Sequence, residues 1–238
     1  MELLNKNCFI TGATGGIGKN LAFQLASTGC NLFLTAQKSN ELSKLRRKIL
    51  EENKNIEVFY EKGNLEKIQD IQKIIKTCRK KNDSIDMLVN CAGIFPQNFL
   101  SKSTLKNFES CFSVNVRAPF IFSKEFSQDM TKKKWGRIIN IGSSSAYTGF
   151  KETSIYCASK HALLGLSRSL HQELKEKNVR TFCFSPGSVQ TKMGRKVKNQ
   201  HFETFIDPHE IAKIIVQVIS YDNEMVIDEV RLDRMVRK

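Results

Sequence analysis

The segment Thr11-Gly12-Ala13-Thr14-Gly15-Gly16-Ile17-Gly18 decides the fold. It follows the short apolar run Cys8–Thr11, which predicts a strand, and opens the stretch Ile17–Ser27, which predicts a helix. Glycines here let the backbone turn tightly and approach a pyrophosphate, while the free N–H groups of a helix N-terminus favour an anion. A glycine cluster alone also suits an ordinary tight turn. Its place after the first strand of a β-α-β unit favours a dinucleotide site.

Apolar runs alternate with amphipathic stretches along the rest of the chain. Further strands are predicted at Asn31–Ala36, Ile56–Tyr60, Asp86–Asn90, Arg137–Gly142, Val179–Phe184 and Met225–Leu232. Helices are predicted at Asn40–Glu52, Ile68–Lys80, Ser154–Lys177 and Pro208–Ser220, with one or two more within Leu105–Thr131. The strands are almost continuously apolar, as in sheets that helices cover on both faces. We therefore expect an α/β fold with a doubly wound parallel sheet, forming one domain over residues 1–238 because no linker interrupts it.

The chain carries 38 basic and 24 acidic residues, a net charge of +14. One interpretation is an acidic partner, such as nucleic acid, a phosphorylated substrate or an acidic carrier protein. The other is a lysine-rich bias on solvated helix faces, which is favoured because most lysines fall on predicted helix surfaces. No zinc-finger, RNP-like or helix-turn-helix pattern is present, so nucleic acid is not expected as a partner.

The seven cysteines include no CxxC pair and no Cys/His ligand spacing. We expect reduced core thiols in a cytoplasmic protein, without a metal site. No run of 18 apolar residues predicts a membrane helix. The first residues lack the charged, apolar and cleavage regions of a signal peptide, so no membrane association is expected.

Tyr156 and Lys160 are four residues apart on a predicted helix and therefore share one face. A tyrosine pKa of about 10 is too high for ready proton exchange near neutral pH, and a nearby ammonium is expected to lower it. Such a phenol would donate a proton to a carbonyl or take one from an alcohol. The pair is common by chance, so its weight depends on the rest of the chain.

Taken in order, these motifs resemble the short-chain dehydrogenase/reductase family. The glycine turn has the family's G-x-x-x-G-x-G spacing, and Tyr156 to Lys160 has its Tyr-x-x-x-Lys. The segment Asn90-Cys91-Ala92-Gly93 is similar to its Asn-Asn-Ala-Gly, with Cys91 as a departure. Pro186-Gly187-Ser188-Val189-Gln190-Thr191 is similar to its Pro-Gly-x-Val-x-Thr. The resemblance covers residues 8–191 and implies a Rossmann-type sheet of seven strands in the order 3-2-1-4-5-6-7.

The resemblance implies four catalytic residues. Tyr156 would be the acid/base, Lys160 would tune it and bind the ribose, and Ser143 would orient the substrate carbonyl. Asn115 would hold a water that links Lys160 to a proton relay. Ser144 and Ser145 follow Ser143 directly, and a one-residue slip along this serine run stays open.

The resemblance also implies a nicotinamide dinucleotide cofactor. Strand two ends without an acid before Glu41, and Lys38 could meet a 2′-phosphate, which favours NADP(H) over NAD(H). NAD(H) stays open because neither Gln37 nor Gly15 is the arginine that NADP(H) enzymes often carry there. The implied cofactor-binding residues are Gly12, Thr14, Gly15, Gly16, Ile17, Gly18, Gln37, Lys38, Asn64, Leu65, Asn90, Ala92, Gly93, Tyr156, Lys160, Pro186, Gly187, Val189 and Thr191.

The substrate is expected near Phe95, Ser143, Ser145 and Phe150, under a lid at 192–205. Two substrate classes stay open. Lys134 and Lys177 fall where 3-oxoacyl-acyl-carrier-protein reductases of the family carry basic residues for the acyl carrier protein, which suggests a carrier-linked acyl thioester. A small ketone, hydroxy acid or sugar derivative is the alternative.

Two wider questions also stay open. A non-catalytic dinucleotide sensor is a different class of protein, against which the intact Ser143, Tyr156 and Lys160 argue. A homodimer or homotetramer is expected by resemblance. The chain lacks the Gly-rich C-terminal ending that supports family tetramers, which weakens the expectation of a tetramer, and a dimer through the helix Ser154–Lys177 stays open by resemblance.

Overall fold

Seven parallel strands form one sheet, in the order β3-β2-β1-β4-β5-β6-β7. The structure is a computed structural model, and it describes residues 3–197 and 200–235. The strands are β1 (Asn7–Thr11), β2 (Asn31–Ala36), β3 (Val58–Lys62), β4 (Met87–Asn90), β5 (Gly136–Ile141), β6 (Val179–Pro186) and β7 (Glu229–Leu232). The predicted doubly wound architecture and strand order are confirmed.

Helices cover both faces of this sheet. They are α1 (Gly16–Ser27), α2 (Ser39–Glu52), α3 (Ile68–Lys81), α4 (Leu105–Phe112), α5 (Ala118–Lys133), α6 (Ser154–Leu174) and α7 (Pro208–Ile219). Within the described parts of the chain, none of these helices combines the length and the apolarity that crossing a membrane requires.

Strand β1 divides the protein core in two, because successive side chains of a strand point to opposite faces. Cys8 and Ile10 pack into a core with α1, α2 and α7. Phe9, between them, packs into a second core with α3 and α5, where its ring lies 4.9 Å from Phe122 and 4.8 Å from Phe126 between centroids. Both faces of β1 are therefore buried, which explains its uninterrupted apolar sequence.

Local sequence signals set several helix starts. The Asp207 carboxylate accepts from the backbone N–H of His209 at the start of α7, and Pro208 occupies the first turn. At α4, Thr104 and Asn107 form a capping box in which each side chain satisfies a backbone N–H. Between α4 and α5 the chain makes a π-helical turn over Ser113–Arg117, so the long predicted segment contains two α-helices.

Strand β7 begins later than the sequence predicts, at Glu229 instead of Met225. The guanidinium of Arg180 donates to the backbone carbonyls of Tyr221, Asn223 and Met225, which holds this stretch as a loop. The side chains from 225 to 227 are consequently 38% to 51% exposed, although their apolar character suggested a buried strand. Strand β3 is likewise displaced toward Lys62 from its predicted start.

Candidate functional site

A cleft of about 1150 Å³ lies at the carboxyl ends of the strands. Its walls come from the turn after β1 and from the loops after β2, β4, β5 and β6. Ligands of doubly wound sheets bind in this position because the connections on either side of β1 leave in opposite directions. The volume exceeds what one small substrate needs and allows for a larger ligand beside it.

The turn after β1 brings its backbone unusually close to its neighbours. Gly12 has a φ of +63°, and a Cβ there would lie 2.8 Å from the backbone N and Cα of Ala92. A Cβ on Gly18 would overlap the carbonyl of Gly12. No side chain caps the N-terminus of α1, so N–H groups of its first turn remain for a ligand in the cleft. The turn thus forms a backbone cradle for an anion. Side chains at these two glycine positions would overlap the neighbouring backbone and close this cradle.

Three of the four predicted catalytic residues converge on one wall of the cleft. Ser143 follows β5, and its Oγ accepts from the backbone N–H of Ser145 at 3.1 Å, which fixes its orientation. Tyr156 and Lys160 are both buried on α6. The Tyr156 ring meets Phe95 edge-on, with centroids 4.7 Å apart. Lys160 Nζ donates to the carbonyl of Ile141 at 2.7 Å, so the ammonium is held against the end of β5.

Burial controls the protonation of this pair. Burial raises the pKa of Tyr156 to about 12, although hydrogen bonding to Ser143 opposes the rise. Burial also lowers the pKa of Lys160 below its usual value. The expectation of a lowered tyrosine pKa is therefore wrong in this structure. The ammonium lies 5.7 Å from the ring centroid, and the loss of solvation is the largest influence on the phenol.

Asn115, the fourth predicted catalytic residue, does not line the cleft. It is fully buried in the π-helical turn, where its side chain accepts from the N–H of Ile94 at 2.9 Å and donates to the carbonyl of Ile94 at 3.0 Å. It also donates to Ser159 Oγ at 3.0 Å. Its side chain therefore ties the loop after β4 to α6, directly behind Gly93 and close to Lys160.

Two predicted cofactor contacts, Asn64 and Asn90, also lie outside the cleft lining. The Asn64 side chain accepts from the backbone N–H of Glu66 at 3.0 Å. Asn90 is buried in the sheet and donates to Asn140 at 2.8 Å. Of the remaining predicted cofactor and substrate residues, all line the cleft: Gly12, Thr14, Gly15, Gly16, Ile17, Gly18, Gln37, Lys38, Leu65, Phe95, Ala92, Gly93, Ser143, Ser145, Phe150, Tyr156, Lys160, Pro186, Gly187, Val189 and Thr191.

The cleft also contains charged residues that no sequence motif assigned to it, among them Lys19, Glu41 and Lys151, together with Arg195 of the predicted lid. Glu41 lies beside Lys38, and their charged groups are 3.2 Å apart. Hydrogen bonding to Lys38 lowers the pKa of this carboxyl, with smaller contributions from Lys192 and Thr14. The three-residue spacing of Lys38 and Glu41 at a helix start is the sequence signal for this pair.

The segment after β6 is fastened to the glycine turn and to the end of the chain. Gln190 and Ile206 are joined by a backbone hydrogen bond of 2.9 Å, and a Cβ on Gly16 would overlap the side chain of Thr191. Arg234 donates to Thr204 Oγ1 at 2.8 Å. Within the predicted lid at 192–205, positions 198 and 199 lie outside the described residues.

Lys134 and Lys177 lie on neighbouring segments that are far from the cleft. Both are exposed, Lys134 just before β5 and Lys177 just before β6. The backbone N–H of Gly136 donates to the carbonyl of Asn178, so the two segments are neighbours at the amino ends of the strands. The cleft lies at the opposite ends of the same strands, about 20 Å away at the usual rise per residue.

Comparison with known proteins agrees with this geometry. The family model described as short chain dehydrogenase matches residues 6–201. The 3-oxoacyl-[acyl-carrier-protein] reductase FabG of Buchnera aphidicola subsp. Acyrthosiphon pisum is 33% identical over 206 residues, covering 87% of this chain and 82% of the relative.

Two solved structures are also similar along the whole fold. The alcohol dehydrogenase of the archaeon Thermococcus sibiricus, complexed with 5-hydroxy-NADP, has a TM-score of 0.87 at 25% identity and covers 96% of each chain. A metagenomic short-chain oxidoreductase in complex with NADP has a TM-score of 0.86 at 26% identity and covers 100% of each chain.

Proposed function

This chain belongs to the short-chain dehydrogenase family of oxidoreductases, and from that premise we propose that it interconverts a carbonyl and a secondary alcohol with NADP(H). One observation carries the proposal. Ser143, Tyr156 and Lys160 share the wall of a cleft whose other end is an anion cradle of glycines. A dinucleotide spanning that cleft brings its reactive end to the tyrosine.

The residues present fit this cofactor. The glycine turn and the uncapped N-terminus of α1 would hold the pyrophosphate, and Lys160 would bind the nicotinamide ribose. Val189 and Thr191 would contact the nicotinamide. When bound, the nicotinamide supplies hydride to a carbonyl carbon or accepts it from an alcohol.

The protein's own residues transfer the proton between the substrate oxygen and solvent. In reduction, Tyr156 donates its phenol proton to the carbonyl oxygen as hydride reaches the carbon, and Ser143 donates a hydrogen bond to the same oxygen. The carbonyl thereby becomes an alcohol, and the phenolate regains a proton from solvent. Lys160, whose ammonium lies 5.7 Å from the tyrosine ring centroid, would favour the transient phenolate, and Asn115 positions the loop and helix around it. In oxidation the same steps run in reverse.

The proposal is tested by following NADPH and NADH oxidation with a panel of carbonyl compounds. The panel includes simple ketones and an acetoacetyl thioester, carried both by acyl carrier protein and by a simple thiol. Turnover of any member that disappears in the Tyr156→Phe protein supports the proposal. Cofactor binding without turnover of any carbonyl, and without oxidation of any alcohol, favours the alternative of a dinucleotide sensor.

A carrier-linked thioester is the second candidate substrate. It is favoured because the similar Buchnera aphidicola protein is a 3-oxoacyl-[acyl-carrier-protein] reductase. A carrier bound to Lys134 and Lys177 must reach along the length of β5 and β6 to enter the cleft of the same chain, unless a second subunit brings these lysines to it. If the carrier binds these lysines, charge reversal at both of them raises KM for the carrier-bound thioester and leaves KM for the simple thioester unchanged. An equal KM for both thioesters would mean that these lysines are solvated surface residues with no role in carrier binding.

Cofactor selectivity gives a first prediction. Lys38→Gln is expected to weaken NADPH binding by about fivefold and to leave NADH binding unchanged, because an exposed ammonium contributes up to about 1 kcal/mol to a phosphate. Titration of the cofactor's fluorescence measures both affinities. Lys44→Gln, which removes an equal charge from the exposed face of α2, is the control. An equal loss for NADPH and NADH would contradict a role at the 2′-phosphate.

The tyrosine pKa gives a prediction about pH. Reduction needs the neutral phenol, the dominant form below a pKa of about 12, so its kcat/KM should stay constant through neutral pH. Oxidation needs the phenolate, so its kcat/KM should rise by up to about tenfold per pH unit below that pKa. Initial rates in both directions between pH 6 and 10 provide the measurement. An oxidation profile that is level from pH 7 upward would mean that the bound tyrosine titrates near neutrality.

A further inference from the structure

The cleft is lined by two cations to which the proposed function gives no role, Lys151 and Arg195. We define the substrate end of the cleft by Phe95, whose ring meets Tyr156 edge-on, and by Phe150 and Phe202, which line the same cleft. Lys151 lines the cleft from the turn just before α6, and Arg195 lines the cleft from the 3₁₀ turn Gly194–Lys196. The backbone N–H of Asn98 donates to the carbonyl of Glu152 at 2.8 Å, which brings the loop that carries Phe95 against the turn that carries Lys151.

Aromatic rings support both cations. The ammonium of Lys151 lies 5.4 Å from the centroid of Phe99, and the guanidinium of Arg195 lies 4.2 Å from the centroid of Phe202. Such contacts hold a cation in place without neutralising it. Among the described residues, neither cation pairs with a carboxylate. Each therefore keeps its charge and its hydrogen-bond donors for a ligand.

The acidic charge that lines the cleft lies elsewhere. Among the described residues that line it, Glu41 is the only carboxylate, and it is paired with Lys38 at the other end. Glu152 follows Lys151 in sequence but does not line the cleft. The substrate end consequently combines positive charge with apolar rings, an environment that attracts anions and disfavours cations.

We propose that the substrate carries an anionic group, a carboxylate or a phosphate, joined through an apolar body to the carbonyl that Tyr156 protonates. The anion contacts Lys151 and Arg195, while Phe95 and Phe150 pack against the apolar body. This inference rests on the proposed function and specifies the substrate class of the same site. The two cations thereby orient the carbonyl end toward Tyr156.

Matched pairs of carbonyl compounds test the proposal at saturating NADPH. Acetoacetate is compared with its methyl ester, and dihydroxyacetone phosphate with dihydroxyacetone, so that the two pairs distinguish a carboxylate from a phosphate. We expect Lys151→Gln and Arg195→Gln each to raise KM for the preferred anion by about fivefold. The neutral partner's KM and the NADPH affinity should not change. Lys44→Gln, outside the cleft, should change none of these values.

A binding measurement separates this inference from the proposed function. Calorimetry of acetoacetate, or of dihydroxyacetone phosphate, with the NADP⁺-loaded protein needs no turnover, and both substitutions should weaken binding of the preferred anion. Equal KM changes for anionic and neutral partners, or weaker NADPH binding, would overturn the anion site. Reduction of neutral carbonyls without any preference for anions would overturn it while leaving the proposed function intact. Absence of all carbonyl turnover would overturn the function, whereas anion binding would still be decided by calorimetry.

Discussion

Replacing Tyr156 with Phe is expected to lower kcat for carbonyl reduction by about 10²–10⁴-fold, the usual contribution of a positioned acid. The substitution removes only the phenol oxygen. The ring keeps its edge-on contact with Phe95, whose centroid lies 4.7 Å away, so the wall of the cleft is preserved. Since the lost group acts on the proton and not on the dinucleotide, NADPH affinity should stay within about twofold of the wild type.

Tyr147 provides the matched control for this experiment. Its hydroxyl donates to Glu229 at 2.9 Å, and its side chain does not line the cleft. Tyr147→Phe therefore removes the same atom from a nearby tyrosine and should leave kcat nearly unchanged. Single-turnover rates with prebound NADPH exclude product release as the step observed. A Tyr156→Phe protein that reduces carbonyls within about tenfold of the wild-type rate would refute the proton-donor role.

Local patterns were sufficient to predict the sheet and most of the cleft. Apolar runs bounded by polar residues identify the strands, and parallel strands bring their carboxyl ends to one edge. The glycine turn and the Tyr156 to Lys160 spacing fall at that edge as soon as the strand order is known. The strand order itself was implied by the family resemblance, whereas each of these features depends on residues close together in the chain.

Side-chain direction depended on contacts that local patterns do not contain. Asn64, Asn90 and Asn115 occupy the predicted places, but each side chain serves the protein's own backbone or core. Asn115, for example, bonds to both backbone groups of Ile94, which lies in a different loop. An asparagine has two donors and an acceptor, so a nearby backbone group competes with any ligand.

The direction of the Tyr156 pKa shift likewise could not be predicted from local sequence patterns. The sequence places a lysine one helical turn from Tyr156, which suggests a lowered pKa. The folded chain buries both groups and directs the Lys160 ammonium to the carbonyl of Ile141. Burial is a property of the whole packed structure, and here it decides the sign of the shift.

Gly12→Ala is expected to lower both the thermal stability and the NADPH affinity of the protein. The φ of +63° costs an alanine about 1–2 kcal/mol. The added methyl carbon would also lie 2.8 Å from the backbone of Ala92, so the turn after β1 or the loop after β4 must move. Both segments line the cleft. We expect the melting temperature to fall by at least about 5 °C and NADPH to bind at least about tenfold more weakly.

Gly165→Ala is the informative comparison, because the chemical change is identical and the surroundings are not. A Cβ on Gly165 meets nothing within 4 Å, and the residue lies on the exposed face of α6. Alanine is preferred to glycine inside a helix by about 1 kcal/mol, so this variant should melt at the same or a higher temperature and bind NADPH normally. If the two alanine variants behaved alike, the close approach of the turn after β1 to the loop after β4 would have no role in shaping the cradle. A loss confined to Gly12→Ala, in stability and in affinity together, would mean that one backbone contact serves both the fold and the cofactor.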